Sequence, residues 1–217
     1  MKNKYIIFPD DPTLIFMRCI FDAFESKYNG NNINIISCNP SSEGYKDARE
    51  LITNIKPSST VVFIGHSTPS LIYGGASVDF NKQPLLKIDD MGVFSACDLI
   101  LVSCFSKKLL ESSRQKRAFS HCIGFGLIPS EFHELQSHPR ISRLGLLEED
   151  LEVFKQHFSI IIRNTLKYLL LENGSLESAF LYMRMLLNKA ANQFILKEKN
   201  HRLAELLYYI VSESYAE

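Results

Sequence analysis

The fold is decided by two apolar runs, Val61-Val62-Phe63-Ile64-Gly65-His66-Ser67 and Asp98-Leu99-Ile100-Leu101-Val102-Ser103-Cys104. Each run contains a short, continuous series of β-branched and large apolar residues. Such a series is typical of a strand that is buried on both faces of a parallel sheet. Each run also ends in a few polar or ionisable residues. The sequence therefore predicts two core strands and directs attention to the residues at their ends.

Three further apolar runs are strand-like, and three helical patterns lie between the strands. The apolar runs lie at residues 5–8, 33–38 and 121–127, and the helical patterns at residues 14–24, 45–55 and 106–117. Residues 29–32 predict a helix stop, and residues 66–96 are irregular apart from a small hairpin around Gly74-Gly75. Strands that alternate with helices form right-handed βαβ units. We therefore expect an α/β fold whose mainly parallel sheet is covered by helices on both faces.

The pattern becomes purely helical after Pro129. Apolar stripes predict three helices at residues 147–172, 176–198 and 201–212. Asn173-Gly174-Ser175 separates the first two as a helix stop followed by an N-cap. We therefore expect an α/β domain over residues 1–135, and C-terminal helices over residues 136–217 that pack on or beside it.

The composition is that of an ordinary globular protein. Of the 217 residues, 46% are hydrophobic and 22% are charged, which excludes a disordered chain. Lys plus Arg and Asp plus Glu number 24 each. This balance argues against nucleic acid as the main partner, because nucleic-acid binding depends on a clustered positive field. No apolar run reaches the ~18–20 residues of a membrane-spanning helix, and the apolar stretch near the start is too short for a signal peptide.

Five cysteines are scattered along the chain without a CxxC pair. An odd number without paired spacing is not typical of a disulfide framework or a zinc ribbon, so we expect reduced thiols in a cytoplasmic protein. The chain has no HExxH motif and no GxGxxG or Walker spacing, so we expect neither a metal nor an organic cofactor.

Two candidate functional residues, His66 and Cys104, stand at the ends of the two core strands. In such sheets the functional residues lie at the carboxyl ends of the strands. If the two core strands are neighbours, both side chains lie at the same edge of the sheet. An imidazole beside a thiol can act as base and nucleophile. A helix that starts directly after Cys104 would favour the thiolate through its N-terminal amides. Taken singly, a cysteine there is more often a small buried hydrophobe, but the matched pair favours a catalytic site.

These two segments resemble the caspase-like cysteine peptidases, and in particular the bacterial CHAT group. In those proteins a hydrophobic strand ends in the catalytic histidine and the next core strand ends in the catalytic cysteine. Ile123-Gly124-Phe125-Gly126 is similar to the strand that follows in that group, and the resemblance covers roughly residues 1–135. It implies that His66 is the general base and Cys104 the nucleophile of peptide-bond hydrolysis. It also implies a protein or peptide substrate, and relatives of this kind often belong to bacterial multi-protein systems, including defence against phage.

The resemblance has two departures. Ser67 stands where the family usually has glycine, and Phe105 replaces a glycine common after the cysteine in the CHAT group. The expected oxyanion hole consists of the Cys104 amide and an amide near Ser67 and Thr68. Tyr73 is expected to line the site. Asp98, with loop carboxylates, is a candidate for an acidic pocket that accepts a basic substrate side chain, although solvated carboxylates are the simpler expectation.

Two alternatives to a peptidase stay open. The chain can be a catalytically inactive α/β binding or signalling module of the same fold, which the missing glycine after His66 favours. A flavodoxin-type small-molecule domain is less favoured, because the segment Pro9-Asp10-Asp11-Pro12 is acidic and lacks glycine. The amphipathic C-terminal helices offer a surface for a regulatory protein or a partner subunit.

Overall fold

The computed structural model describes residues 2–25, 33–113 and 119–217 of the chain. Nine strands lie in these residues. In chain order they are β1 (Lys4–Pro9), β2 (Ile33–Cys38), β3 (Thr60–Ile64), β4 (Ser67–Thr68), β5 (Leu71–Tyr73), β6 (Pro84–Lys87), β7 (Asp98–Val102), β8 (His121–Gly124) and β9 (Tyr215–Ala216). Six of them form one sheet in the order β2-β1-β3-β7-β8-β9, in which only the edge strand β9 is antiparallel to its neighbour. The strands β4, β5 and β6 form a separate antiparallel sheet.

Seven α-helices are present in the same residues. They are α1 (Arg18–Glu25), α2 (Ser42–Thr53), α3 (Ser106–Ser113), α4 (Phe132–Ser137), α5 (Glu148–Leu170), α6 (Leu176–Gln193) and α7 (His201–Glu213). Short 3₁₀ helices cover Pro12–Met17, Ile88–Phe94 and Ser142–Leu144, and α6 continues into a π-helical turn at Phe194–Glu198.

The apolar strands bury both faces of the large sheet. Successive side chains of a strand point to opposite faces, so each strand contributes to two cores. One core contains Ile64 and Val102 together with residues of α1, α5, α6 and α7. The other contains Phe63 and Leu101 together with residues of α2 and α3. The predicted fold class, a mainly parallel α/β sheet with helices on both faces, is therefore confirmed.

The C-terminal helices share the first of these cores with the strands. Phe154 of α5 and Leu203 of α7 belong to the same buried cluster as Ile6 of β1. The strand β9 completes the sheet by pairing Ala216 with Ile123 of β8. The predicted division at residue 135 therefore crosses one continuous core.

The irregular region between the two core strands is more ordered than its sequence suggests. In place of a single hairpin it forms β4, β5 and β6, followed by the 3₁₀ helix at Ile88–Phe94. The predicted helix stop at residues 29–32 and the end of the predicted helix at residues 114–117 lie outside the described residues. No helix in the described part of the chain combines the length and the apolar character needed to cross a membrane.

Candidate active site

His66 and Cys104 lie at the same edge of the large sheet and on the same face. Ile64 of β3 and Val102 of β7 are paired in register, and each candidate residue follows two positions after its member of that pair. Both side chains line one small cavity of about 20 Å³. Such a volume holds about one water molecule. The cavity also contacts Ile128 and Ser130, which follow β8.

The cavity lies at the point where the strand order reverses. The strand β2 lies on one side of β1, whereas β3 and then β7 lie on the other side of β1. The carboxyl ends of strands at such a point form the usual binding crevice of an open α/β sheet. The 3₁₀ helix that follows β1 covers this crevice with Leu14, Phe16 and Met17.

His66 is anchored by residues that follow β1. Its Nε2 atom lies 2.7 Å from Oγ1 of Thr13 and 3.6 Å from Oδ2 of Asp11. The imidazole is largely buried, with 15% of the side chain exposed. Burial, reinforced by the nearby charge of Lys82, lowers the pKa of His66 below its ordinary value, although the Asp11 carboxylate opposes this effect.

Asp11 is buried beside this imidazole, with 2% of its side chain exposed. Its Oδ1 atom accepts hydrogen bonds from the amide of Thr13 at 2.9 Å and from the hydroxyl of Thr13 at 2.7 Å. Its Oδ2 atom has no hydrogen-bond partner in the described residues, and Nζ of Lys82 lies 3.4 Å away. Burial alone would raise the pKa of Asp11, but the hydrogen bonds from Thr13 and the charges of Lys82 and His66 hold it below its usual value.

The thiol of Cys104 is not poised as a thiolate. The residue is only 7% exposed. Its sulfur donates to the carbonyl of Ile128 at 3.0 Å and accepts from the amide of Ile128 at 3.3 Å. Burial, with a smaller contribution from the Glu134 carboxylate, raises the pKa of Cys104 to about 12. Desolvation thus outweighs the backbone hydrogen bonds that favour the thiolate, and the thiol keeps its proton.

The segment that covers Cys104 is held by Glu134 of α4. Its Oε2 atom accepts from the amide of Ser130 at 2.7 Å, from the hydroxyl of Ser130 at 3.1 Å and from the amide of Glu131 at 3.0 Å. This carboxylate thus fixes the chain only two residues beyond Ile128. The contact between Ile128 and the thiol therefore belongs to a loop that hydrogen bonds to Glu134 hold in place.

Ser67 takes part in the hydrogen bonds between the two strand ends. Its buried hydroxyl donates to the carbonyl of Cys104 and lies 2.7 Å from the hydroxyl oxygen of Ser103. The hydroxyl of Ser106 lies 2.8 Å from the carbonyl of Ser103 in the turn after β7, and it accepts from the amide of Phe125, which follows β8, at 2.9 Å. The serine in place of glycine therefore ties the backbone after His66 to the backbone of Cys104.

The other predicted site residues lie at different distances from this pair. The amide of Tyr73 donates to the carbonyl of His66 at 2.9 Å, so Tyr73 borders the site through its backbone. Thr68 lies on β4, and its hydroxyl contacts Ser70. Asp98 does not belong to the site, and the structure corrects this expectation. It begins β7 and therefore lies at the amino ends of the strands, whereas His66 and Cys104 lie at the carboxyl ends. There Asp98 contacts Lys2 at 2.6 Å and His121 at 2.9 Å.

A larger cavity of about 350 Å³ is lined by Phe105 and by residues of α3, α7 and the segment after β8. Its charged lining residues include three cations and two carboxylates, namely Lys107, Lys108, Arg140, Glu111 and Glu213. Arg140 and Lys107 both approach Glu213, at 2.7 Å and 3.8 Å. The aromatic ring of Phe105, the residue after Cys104, forms part of the wall. The cavity is therefore mixed in character with an excess of positive charge, and Asp98, the candidate for an acidic pocket, does not line it.

No group of three His, Cys, Asp or Glu side chains in the part of the chain that the structure describes is arranged to hold a metal ion. Comparison with models of protein families finds no match to this chain, and a search of curated proteins finds no significant match. The class that the fold and the site define is an α/β protein with a histidine and a cysteine beside its strand-order switch. Function has to be inferred from that geometry.

The site contains residues that the sequence did not single out, above all Asp11, Thr13 and Ile128. The only signal for the first two was their position directly after the first strand, in a segment that reads as a turn. The contact between Ile128 and Cys104 joins positions 24 residues apart and has no local sequence signal.

Proposed function

We propose that this protein is a caspase-like cysteine peptidase that acts in the cytoplasm on a protein or peptide substrate. The observation that carries the proposal is that His66 and Cys104 follow neighbouring parallel strands and line the same cavity. The resemblance of both segments to the CHAT group supports it, and so does the hydrogen-bonded anchor of the imidazole on Thr13. By the same resemblance, we propose a role in a bacterial multi-protein, defence-type system.

The reaction proposed for this pair is acyl transfer through a thioester. The sulfur of Cys104 attacks the peptide carbonyl carbon while its proton passes to the free nitrogen of His66. The tetrahedral intermediate collapses, the carbon–nitrogen bond breaks, and the imidazolium gives its proton to the leaving amine. Water then attacks the thioester with His66 again acting as base, which releases the acid and restores the thiol. The amides of Cys104 and Ser67 are the proposed donors to the oxyanion.

The described conformation corresponds to a resting form of such an enzyme. Burial raises the pKa of Cys104 to about 12, so the thiol keeps its proton at neutral pH. The sulfur is also engaged by both backbone polar groups of Ile128. Catalysis therefore requires the segment around Ile128 to move away from the thiol, on binding of the substrate or of a regulatory partner.

The charged cavity lined by Phe105, the residue after Cys104, supports a preference for acidic substrates. A peptide bound with its carbonyl at the sulfur would place a neighbouring side chain against Phe105 and the cavity that this ring helps to form. Lys107, Lys108 and Arg140 favour a carboxylate there, and they exceed the lining carboxylates in number. A basic side chain would meet like charges.

The test is cleavage of a proteome-derived peptide mixture, with new termini read by mass spectrometry. We expect new termini, enriched in neighbouring Asp and Glu, with the wild type and with Glu134→Ala, which loosens the loop over the thiol. Cys104→Ala and His66→Ala should produce none. The matched control is Cys19→Ala, which removes a half-buried thiol on α1 and should cleave like the wild type. Identical termini with wild type and Cys104→Ala would overturn the proposal.

A second candidate is a non-catalytic binding or signalling module. The buried, hydrogen-bonded thiol favours it, because a structural role needs no ionisable sulfur. A module predicts that neither the wild type nor Glu134→Ala releases any peptide. It also predicts that Cys104→Ser folds as stably as the wild type, because a hydroxyl can make both hydrogen bonds to Ile128.

A further inference from the structure

We infer that Asp11 and Thr13 are positioning residues that hold His66 in a single tautomer, with the proton on Nε2 and a free lone pair on Nδ1. The chemical use of that lone pair rests on the proposed function. The tautomer itself does not, because it is a property of the folded protein that can be measured without any substrate.

The assignment follows from counting protons between the three side chains. The hydroxyl of Thr13 carries one proton and has two close neighbours, Oδ1 of Asp11 and Nε2 of His66, each at 2.7 Å. An ionised carboxylate can only accept a hydrogen bond, so the hydroxyl proton is directed to Asp11. The oxygen of Thr13 then offers only lone pairs to the imidazole. Nε2 of His66 must therefore carry the proton, which leaves Nδ1 as the basic nitrogen.

The opposite arrangement is disfavoured by the same distances. If Thr13 donated to His66, its oxygen and Oδ1 of Asp11 would face each other at 2.7 Å with no proton between them. The hydrogen bond to a carboxylate is also the stronger of the two, because it is charge-assisted. The two hydrogen bonds thus point in one direction: the imidazole of His66 donates to the hydroxyl of Thr13, and this hydroxyl donates to the carboxylate of Asp11. These two hydrogen bonds form the relay.

Helix capping does not explain this arrangement by itself. Asp11 is the N-cap of the 3₁₀ helix Pro12–Met17, and its hydrogen bond from the Thr13 amide is an ordinary cap. Asparagine or serine would cap as well, and a cap has no need of burial or charge. Yet Asp11 is almost fully buried, and its second oxygen, which has no hydrogen-bond partner among the described residues, lies 3.6 Å from Nε2 of His66. That oxygen is placed to stabilise an imidazolium.

The charges around His66 are consistent with this role. Lys82, 3.4 Å from Asp11, offsets the carboxylate while the imidazole is neutral. Glu131, which caps α4, and Glu134 of α4 are the other charged groups that act on His66, and both favour its protonated form. Of these carboxylates, Asp11 has the largest effect on His66, and Thr13 links the two by hydrogen bonds.

The test is the ¹⁵N spectrum of the histidine rings in uniformly labelled protein above pH 8, where the His66 ring is neutral because burial lowers its pKa. Of the six histidines, His66 is identified by loss of its signals in His66→Gln. We expect a protonated-type Nε2 and an unprotonated-type Nδ1 in the wild type. Thr13→Val keeps the side-chain shape but removes the relay, so the signals should move toward a mixture of tautomers, and Thr13→Ser should restore them. A protonated Nδ1 in the wild type, or a Thr13→Val spectrum identical to it, would overturn the inference.

A matched pair of variants separates the effect of the Asp11 charge from the role of Asp11 as a helix cap. Asp11→Asn keeps a capping oxygen and loses the charge, so the pKa of His66 should fall further below its wild-type value. Asp10→Asn removes the exposed neighbouring charge and should leave that pKa close to the wild-type value. Equal shifts in both variants would contradict a specific role for Asp11. Each variant is first checked for a native backbone amide spectrum. If Thr13→Val does not fold, Thr13→Ala removes the same hydroxyl, and the wild-type spectrum by itself still decides which ring nitrogen of His66 carries the proton.

Kinetics distinguish failure of the relay from failure of the proposed activity. If peptides are cleaved, Thr13→Val should lower kcat by about 10- to 100-fold with little change in KM, and Thr13→Ser should recover most of it. Unchanged kcat in Thr13→Val together with an altered tautomer would remove the positioning role. If the wild type cleaves nothing, the spectra still decide the tautomer, and only the peptidase proposal fails.

Discussion

The sulfur of Cys104 satisfies both backbone polar groups of Ile128. A buried amide and a buried carbonyl without hydrogen-bond partners would each cost free energy, so this contact stabilises the fold. It also keeps the thiol unreactive. The imidazole opposite is also neutral, because burial lowers the pKa of His66. The proposed catalytic pair therefore starts as thiol and imidazole and not as an ion pair.

This starting state makes a definite prediction for the pH dependence of cleavage. Activity requires an unprotonated His66, whose pKa lies below 6.5, and a thiol that keeps its proton up to about pH 12. We expect kcat/KM to fall as the pH drops below about 6.5 and to stay level between about pH 7 and 9. The measurement is kcat/KM for one cleaved peptide over that range. A bell-shaped profile with its alkaline limb near the ~8.5 of a free thiol would mean that Cys104 ionises normally.

At the scale of elements, the loop between β8 and α4 controls access to the nucleophile. Glu134 anchors this loop through the amides of Ser130 and Glu131. Removing its side chain in Glu134→Ala frees these donors and also removes a negative charge that raises the pKa of Cys104. We expect faster alkylation of Cys104 by iodoacetamide, by about 10-fold, measured by peptide mass spectrometry with the half-buried Cys19 as internal reference.

The control for that measurement is Asp90→Ala. Asp90 makes a comparable cap, accepting from the amide of Lys87 at 2.9 Å, in a helix that leads into the amino end of β7. Its removal should leave Cys104 as unreactive as in the wild type. If both variants speed alkylation equally, general loosening of the fold is responsible and the loop has no specific role.

The strands and the site were predictable to different extents, for physical reasons that particular residues show. Continuous apolar runs ending in His66 and Cys104 identify two buried strands, and strand periodicity then puts both residues on one face. The distance of Asp98 from the site was also predictable. Asp98 starts β7, and a strand of 5 residues separates it from Cys104 by about 16 Å. The strand β9, by contrast, has two residues and no periodic signal. The burial of Cys104 depends on a loop that only tertiary packing brings there.

At the scale of the whole molecule, the C-terminal helices are structural partners of the sheet. The apolar face with Val62, Ile64 and Val102 is covered by α5, α6 and α7. The buried ammonium of Lys4 in β1 fastens the sheet to this layer, because it donates to the carbonyl of Leu170 and, at 2.8 Å, to the side chain of Asn173. A regulator that binds these helices would thus act on the layer that supports the sheet under the site.

This shared core predicts that the chain unfolds as a single unit. Far-UV circular dichroism and tyrosine fluorescence (the chain has no tryptophan) should give coincident urea transitions for the full protein. A fragment of residues 1–135 would expose the face that α5 and α7 cover, so it should show no cooperative transition and bind a hydrophobic dye. A fragment that folds cooperatively, or two separated transitions in the full chain, would mean that residues 1–135 are an independent domain. The helices would then be free to move as a body when a partner binds them, whereas a single transition requires any such signal to pass through the packed core to Cys104.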